Sequence, residues 1–104
     1  VKTSLMNVGG TLSGCGPAFL YVIMEALADG AVFHGLPRDM AYTLVSQMVL
    51  GSGKMLAESG LHPGKLKDNV CSPAGSTIRG VRALEDGNIR ATLIDAIDRA
   101  VMMK

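Results

Sequence analysis

The sequence predicts an all-α domain of about five helices, and three observations carry that reading. The 104 residues are 48% hydrophobic, yet only two Phe, two Tyr and no Trp contribute. The apolar content is therefore Ala, Leu, Val, Ile and seven Met. This is helix-forming material, poor in the aromatic and Thr-rich runs that strands favour. Apolar residues also recur at helical spacing, Pro and Gly punctuate them at short intervals, and no stretch reads as a convincing strand. The length fits one domain, residues 1–104, near the small end for independent stability. So much apolar material in so small a domain suggests burial against a second subunit, as in obligate dimers.

Residues 1–16 are rich in Gly and Ser and read as a lead-in segment. Pro17 then suits a first helical position, where its missing N–H is lost at no cost. From Pro17 to about His34 the chain is apolar nearly all round, which predicts a central, buried helix. Glu25 and Asp29 lie four apart on its one polar stripe and read as a solvated stripe rather than a catalytic pair. Gly35 ends this helix and Pro37 opens the next. There Met40, Leu44 and Met48 repeat at four, as do Ala41, Val45 and Val49, so an amphipathic helix is expected to about Ser59. Gly51-Ser52-Gly53 falls inside it. Two glycines there cost roughly 1 kcal/mol each relative to Ala, and close helix packing across a dimer interface is the expected return.

His62-Pro63-Gly64 reads as a turn with Pro63 again at a first helical position, and Leu66 and Val70 as the buried edge of a short helix. The run Ser72 to Thr77 interrupts with small and turn-forming residues. A helix follows from about Thr77 to Asp86, with Gly87 as its C-terminal cap. Asn88 caps a last helix whose stripe is Ile89, Leu93, Ile97 and Val101, and Asp95 and Arg99 can pair on its outer face.

Charge and motifs exclude several function classes. Net charge is +1 and the Lys and Arg residues are scattered, so no nucleic-acid partner is expected. The longest strongly apolar run, Ala18 to Met24, is too short to span a bilayer, and the first residues do not form a secretory signal. Cys15 and Cys71 show no paired spacing, which points to a reduced, intracellular and cytoplasmic protein. SGCGPAF contains a GxG, but Phe19 and the lack of a preceding strand break the dinucleotide pattern. GSGKM resembles the end of a phosphate loop, but Met55 follows Lys54. Cys15, Cys71, His34 and His62 match no common zinc spacing, so no metal is expected and each His reads as a surface or helix-end residue.

The stretch CSPAGSTIRG, residues 71–80, has more to offer. Pro73 and Gly75 permit a tight turn, and Ser76 or Thr77 can cap the next helix. The first amides of a helix have no internal partners and carry positive potential, which suits a carboxylate or phosphate. Ser72, Ser76 and Thr77 add hydroxyls. On chemistry alone a plain capped turn remains the first reading.

Taken together, SGCGPAF, EALADGAVFHGLPR, the AY…GSGKML helix, HPGKLKDNVCSPAGSTIRG and ALEDGNIRA resemble the C-terminal domain of pyrroline-5-carboxylate reductase, from Leu12 onward. The resemblance implies an interlocked helical dimerisation domain of the 6-phosphogluconate-dehydrogenase-like C-terminal type. It implies reduction of the cyclic imine 1-pyrroline-5-carboxylate to L-proline with NAD(P)H. The cofactor would be held mainly by an N-terminal Rossmann domain outside this chain, so the isolated chain should be inactive. It further implies homodimers that assemble into decamers. By the same resemblance the substrate carboxylate lies on the amides of Gly75, Ser76 and Thr77, and Ser72 faces the substrate. The Thr77 hydroxyl lies by the ring nitrogen as the catalytic group, and Asn69, Cys15 and Pro17 lie near the nicotinamide. Ala74 stands where the family usually has Gly, and Cys15 where it usually has Ser. Ala74 would be strained if its position needs a positive φ. A non-catalytic dimerisation module, or the dimerisation domain of a related dehydrogenase, are the alternative readings.

Overall fold

The computed structural model describes residues 3–102. They form five helices: α1 Thr3–Phe33, α2 Arg38–Ser59, α3 Pro63–Asn69, α4 Ser76–Asp86 and α5 Ile89–Met102. No strand occurs among the described residues. The all-α reading therefore holds, with element bounds near those expected for α2 to α5.

The first helix departs from expectation. Residues 3–16 are not a lead-in but the first half of α1, and Pro17 lies inside that helix rather than at its start. Pro17 cannot donate to the carbonyl of Ser13, so one bond of the ladder is lost there. The glycines suggested a break, but Leu5, Val8 and Leu12 already continue the apolar spacing N-terminal to Pro17. Packing of α1 along α5 then outweighs local propensity. Thr11, fully buried, fits this arrangement by turning its hydroxyl back onto the carbonyl of Asn7 at 2.9 Å. The protein measures 47 × 29 × 28 Å, and at about 1.5 Å per residue α1 runs nearly its whole length.

The core sits where the C-terminal half of α1 meets the start of α2. Ala28, Ala41 and Val45 are buried there, with Met24, Ala31, Val32, Leu36 and Val49 packed around them. Gly35 makes the turn at φ 102°, a conformation that suits glycine. Leu36 N–H closes it by donating to the Ala31 carbonyl at 3.1 Å. Arg38 straps the corner from outside, donating to Asp29 at 2.7 Å. This hydrogen bond, and a weaker one to the Tyr42 hydroxyl, raise the Arg38 pKa. Asp29 is thus a surface ion-pair partner.

Helices α4 and α5 form a hairpin whose corner is Gly87-Asn88. The left-handed residue is Asn88, at φ 59°, while Gly87 has φ −83°. Gly87 is the C-cap of α4, as expected, but the left-handed conformation falls on Asn88, which tolerates it better than most side chains. Asn88 opens α5 through its backbone, its carbonyl accepting from Thr92 N–H at 3.0 Å. Arg90 reaches back to Glu85 at 2.9 Å, and the expected Arg99–Asp95 pair forms at 3.0 Å.

Burial within one chain falls well short of expectation. Of the two stripes on α2, Ala41 and Val45 are buried but Met40, Leu44 and Met48 are exposed. On α1, Leu5, Met6, Leu12, Tyr21 and Val22 are each exposed by 60% or more, so the predicted central helix is not covered by its own chain. Val70 is exposed too, leaving Leu66 as the half-buried large apolar residue of α3. A compact monomer of this mass should expose about 5,600 Å², whereas this chain exposes 8125 Å². Its radius of gyration is 15.8 Å, against about 13 Å for a compact domain of this length. The segment Ser4–Phe33, at mean hydropathy 1.4, is long and apolar enough by length and composition to cross a membrane. The shorter run weighed in the sequence understated it, because α1 continues through Pro17.

Candidate functional site

The run Ser72–Thr77 folds as a tight turn feeding the first turn of α4. Gly75 N–H donates to the Ser72 carbonyl at 3.1 Å, with Pro73 and Ala74 in the two corner positions. Ala74 takes φ 59°. A type II turn needs a positive φ at this place and accepts Pro just before it. The strain anticipated at Ala74 is therefore present, and the turn forms despite it.

Gly75 is the N-cap of α4, at φ −79° and ψ 173°, and no side chain caps the helix. The expected capping by Ser76 or Thr77 does not occur, because both already lie within the helix. Gly75 is needed for space rather than for φ. A Cβ there would lie 2.5 Å from Ser72 Oγ and 3.2 Å from the Ser72 carbonyl oxygen. The Ser72 hydroxyl is thus held against the Gly75 backbone.

The amide accounting differs from that implied by the resemblance. Gly75 N–H is spent on the turn. The N–H groups of Ser76, Thr77 and Ile78 are the ones that a helix start leaves without an internal acceptor. No acidic residue occupies the first turn of α4, so the positive end of the helix is not neutralised from within. Ser72, Ser76 and Thr77 are exposed. This is an exposed, acceptor-seeking helix start with three hydroxyl residues beside it in sequence and no acid in its first turn.

The remaining candidates divide. Asn69 closes α3, three residues before Ser72, and lines a groove with Gln47, Met48, Ser52 and Leu66. Cys15 and Pro17 lie in mid-α1, half-buried and exposed respectively. Within one chain α1 approaches α4 through Phe19, Val22 and Ile23, which face Ala83 and Leu84 near the far end of α4. One chain therefore brings Ser72, Gly75, Ser76 and Thr77 together, with Asn69 close in sequence, and leaves Cys15 and Pro17 apart from them.

Both loop-like motifs set aside in the sequence lie inside helices, SGCGPAF in α1 and GSGKM in α2, where no phosphate loop can form. Among the described residues no three His, Cys, Asp or Glu side chains gather as metal ligands. His34 meets Phe33 edge-on at 5.5 Å, and His62 is the N-cap of α3. That capping role is what the plain turn reading of HPG overlooks, since His is not among the usual capping residues.

Replacing Ala74 with Gly is expected to stabilise the fold by about 1 kcal/mol, less the entropy glycine adds to the unfolded chain. Denaturant unfolding of the two proteins checks this. A lower midpoint in the glycine variant would mean that Ala74 is not strained, since the entropy cost would then stand unopposed.

A family model described as "Pyrroline-5-carboxylate reductase dimerisation" matches residues 3–104, so residues 3–11 belong to the likeness as well. The pyrroline-5-carboxylate reductase of Methanosarcina acetivorans is 53% identical over 100 residues, covering 96% of this chain and 37% of that protein. The Pisum sativum protein of the same name is 58% identical over 86 residues, covering 83% and 32%. The chain thus spans about a third of the length of the curated relatives it matches. A crystal structure of Plasmodium falciparum pyrroline carboxylate reductase with NADP bound aligns over 99% of this chain and 39% of that one, at TM-score 0.93 and 36% identity. The Coxiella burnetii reductase aligns over 99% and 38%, at TM-score 0.94 and 36% identity. A family match across all the described residues, over one and the same five-helix fold, leaves one conclusion: this chain belongs to the pyrroline-5-carboxylate reductase dimerisation family.

Proposed function

We propose that this chain is the dimerising, substrate-holding part of an NAD(P)H-dependent reductase that converts 1-pyrroline-5-carboxylate to L-proline. The observation that carries the reading is the uncapped start of α4, whose open amides and neighbouring hydroxyls suit a small carboxylate. The nicotinamide cofactor, bound mainly by a domain outside this chain, supplies the hydride. That hydride would be taken up at the imine carbon while the C=N electron pair moves to nitrogen, and the proton that the amine holds beyond the neutral imine would come from solvent, before binding as the iminium or during the reaction. The reaction needs alignment more than acid–base strength.

In this reading the carboxylate rests on the amides of Ser76 and Thr77, with Ile78 next in line. Ser72 supplies a hydroxyl across the turn, and the Thr77 hydroxyl orients the ring nitrogen. Asn69, Cys15 and Pro17 lie toward the nicotinamide, and a second copy of the chain or the cofactor domain brings α1 to the loop. The turn survives at Ala74, which favours a working site over a purely structural copy. The surface in excess of a compact monomer is about 2,500 Å² per chain, which is at the top of the range for obligate dimers. A homodimer is therefore the assembly unit, with a decamer built from it. The exposed apolar face of α1 belongs to that dimer rather than to a bilayer.

Amide-shift titration with L-proline, against acetate as a control anion, tests the reading on the complete enzyme. Saturable shifts at Ser72 to Thr77 that are larger for proline than for acetate are expected. Equal responses would reduce the site to a generic helix-start anion site, and no response would remove it. Thr77→Ala should lower turnover by about tenfold or more, in the range of a lost positioning or proton-transfer contact, and leave cofactor affinity unchanged. Turnover equal to wild type would take Thr77 out of the mechanism.

A further inference from the structure

The segment His62-Pro63-Gly64 is a built helix cap, and its three residues have separate jobs. Pro63 occupies the first position of α3, where a missing N–H costs nothing. Gly64 N–H, the next donor, is accepted by His62 Nδ1 at 2.9 Å. The imidazole lies so close that a Cβ on Gly64 would stand 3.0 Å from Nδ1 and 3.3 Å from Cε1. Glycine is therefore what admits the ring. The His62 carbonyl accepts from Lys65 at 2.9 Å and Leu66 at 3.2 Å, so the residue anchors the helix start through both backbone and side chain.

An imidazole accepts at Nδ1 only when that nitrogen carries no proton. Protonation would turn the acceptor into a donor aimed at another donor, and would set a positive charge at the positive end of the helix. Nothing in α3 compensates, since its first turn holds no acidic residue. The charged groups of the flanking elements are Lys54 and Glu58 in the last two turns of α2, with Arg38 and Asp39 at its far end, and Lys65, Lys67 and Asp68 on α3. None is ion-paired to the imidazole among the described residues, and Lys67 pairs with Asp68 at 3.3 Å. Helix α3 has seven residues, too few to be stable alone, and it packs substantially on no other helix of its chain. Its cap is therefore a large part of what holds it.

We infer that His62 is a proton-operated clamp on α3, closed when the ring is neutral and open when it is charged. Acid therefore opens the clamp and base closes it. Its functional consequence rests on the reading proposed above: α3 ends at Asn69 and hands the chain to the Ser72 turn, so opening would loosen the carboxylate cradle.

Amide hydrogen exchange on the complete enzyme tests the clamp at pH 8 and pH 5, after correction for intrinsic exchange chemistry. Opening of α3, read at Gly64, Lys65 and Leu66, is expected to rise about fivefold at pH 5, the size of one lost cap, while α2 and α5 stay unchanged. His62→Asn, a cap that does not titrate, should hold α3 closed at both pH values, and His62→Ala should leave it open at both. A pH response that persists in His62→Asn, or none in the wild type, overturns the inference. Proline affinity measured in parallel separates the two ideas. Failure to bind proline at either pH would sink the substrate reading and leave the exchange result standing.

Discussion

Gly75→Ala is expected to weaken L-proline binding by ten- to a hundredfold in the complete enzyme. The backbone is not the cause, since φ −79° suits alanine. Space is the cause: the new methyl group would meet Ser72 Oγ at 2.5 Å and the Ser72 carbonyl at 3.2 Å. The hydroxyl can swing away, but the carbonyl is the acceptor that closes the turn and can move only by opening it. Overpacking of this kind costs about 1–3 kcal/mol, and each 1.4 kcal/mol of misplaced loop is roughly tenfold in affinity. Calorimetric titration measures the loss. Adding Ser72→Ala removes the hydroxyl contact but leaves the one to the backbone carbonyl, so the double variant should be no more stable than Gly75→Ala and its affinity should stay low. Wild-type affinity in Gly75→Ala would show that the carboxylate binds elsewhere.

The second large effect is expected at Gly51 and Gly53, with opposite signs in the protomer and in the dimer. Both lie inside α2, and a Cβ on either meets nothing within 4 Å in its own chain. For the single chain, replacing Gly by Leu is a gain of roughly 0.5–1 kcal/mol in helix propensity. If these glycines admit a neighbouring backbone, the same change overpacks the interface, and twofold symmetry places it there twice. A cost of roughly 4 kcal/mol per dimer would follow, on the order of a thousandfold in dissociation. Sedimentation of Gly51→Leu should show smaller species at concentrations where the wild type is dimeric, and helicity should fall with the dimer, because the lone chain retains little stability. A dimer as tight as wild type would free the two glycines from any interface role.

The helical class and four of the five helices were legible because their signals are local. Pro63 at a first helical turn, Gly35 at a left-handed corner and the Ala41–Val45 stripe each declare themselves within a few residues. The start of α1 was not legible, because Gly9, Gly10, Gly14 and Pro17 argue for a break and only contact with distant α5 overrules them. Burial was legible in kind but not in place: the sequence shows which residues are apolar, not which subunit covers them. At the site, the Ser72–Thr77 turn could be read from residue types, and the demand on Ala74 only from the resemblance, through the Gly that usually stands there. The assignment of Gly75 N–H to the turn could not, since it depends on where the chain doubles back. The cap at His62 was hidden for a different reason. A histidine accepts or donates according to its proton, and its letter in the sequence does not say which.

The uncovered flank of α1 also bears on when this protein can fold. With three buried apolar residues at the core of one protomer among the described residues, a lone chain retains little net stability once ordering entropy is counted. Association must supply most of it, so folding and assembly become a single bimolecular event governed by mass action. The thermal midpoint should then climb with protein concentration, and dilution should unfold the chains rather than release intact protomers. A newly made chain would wait, incompletely structured, for its counterpart. Two different versions made in one cell would share their fate, since a poorly folding copy can withdraw a sound one into a mixed pair.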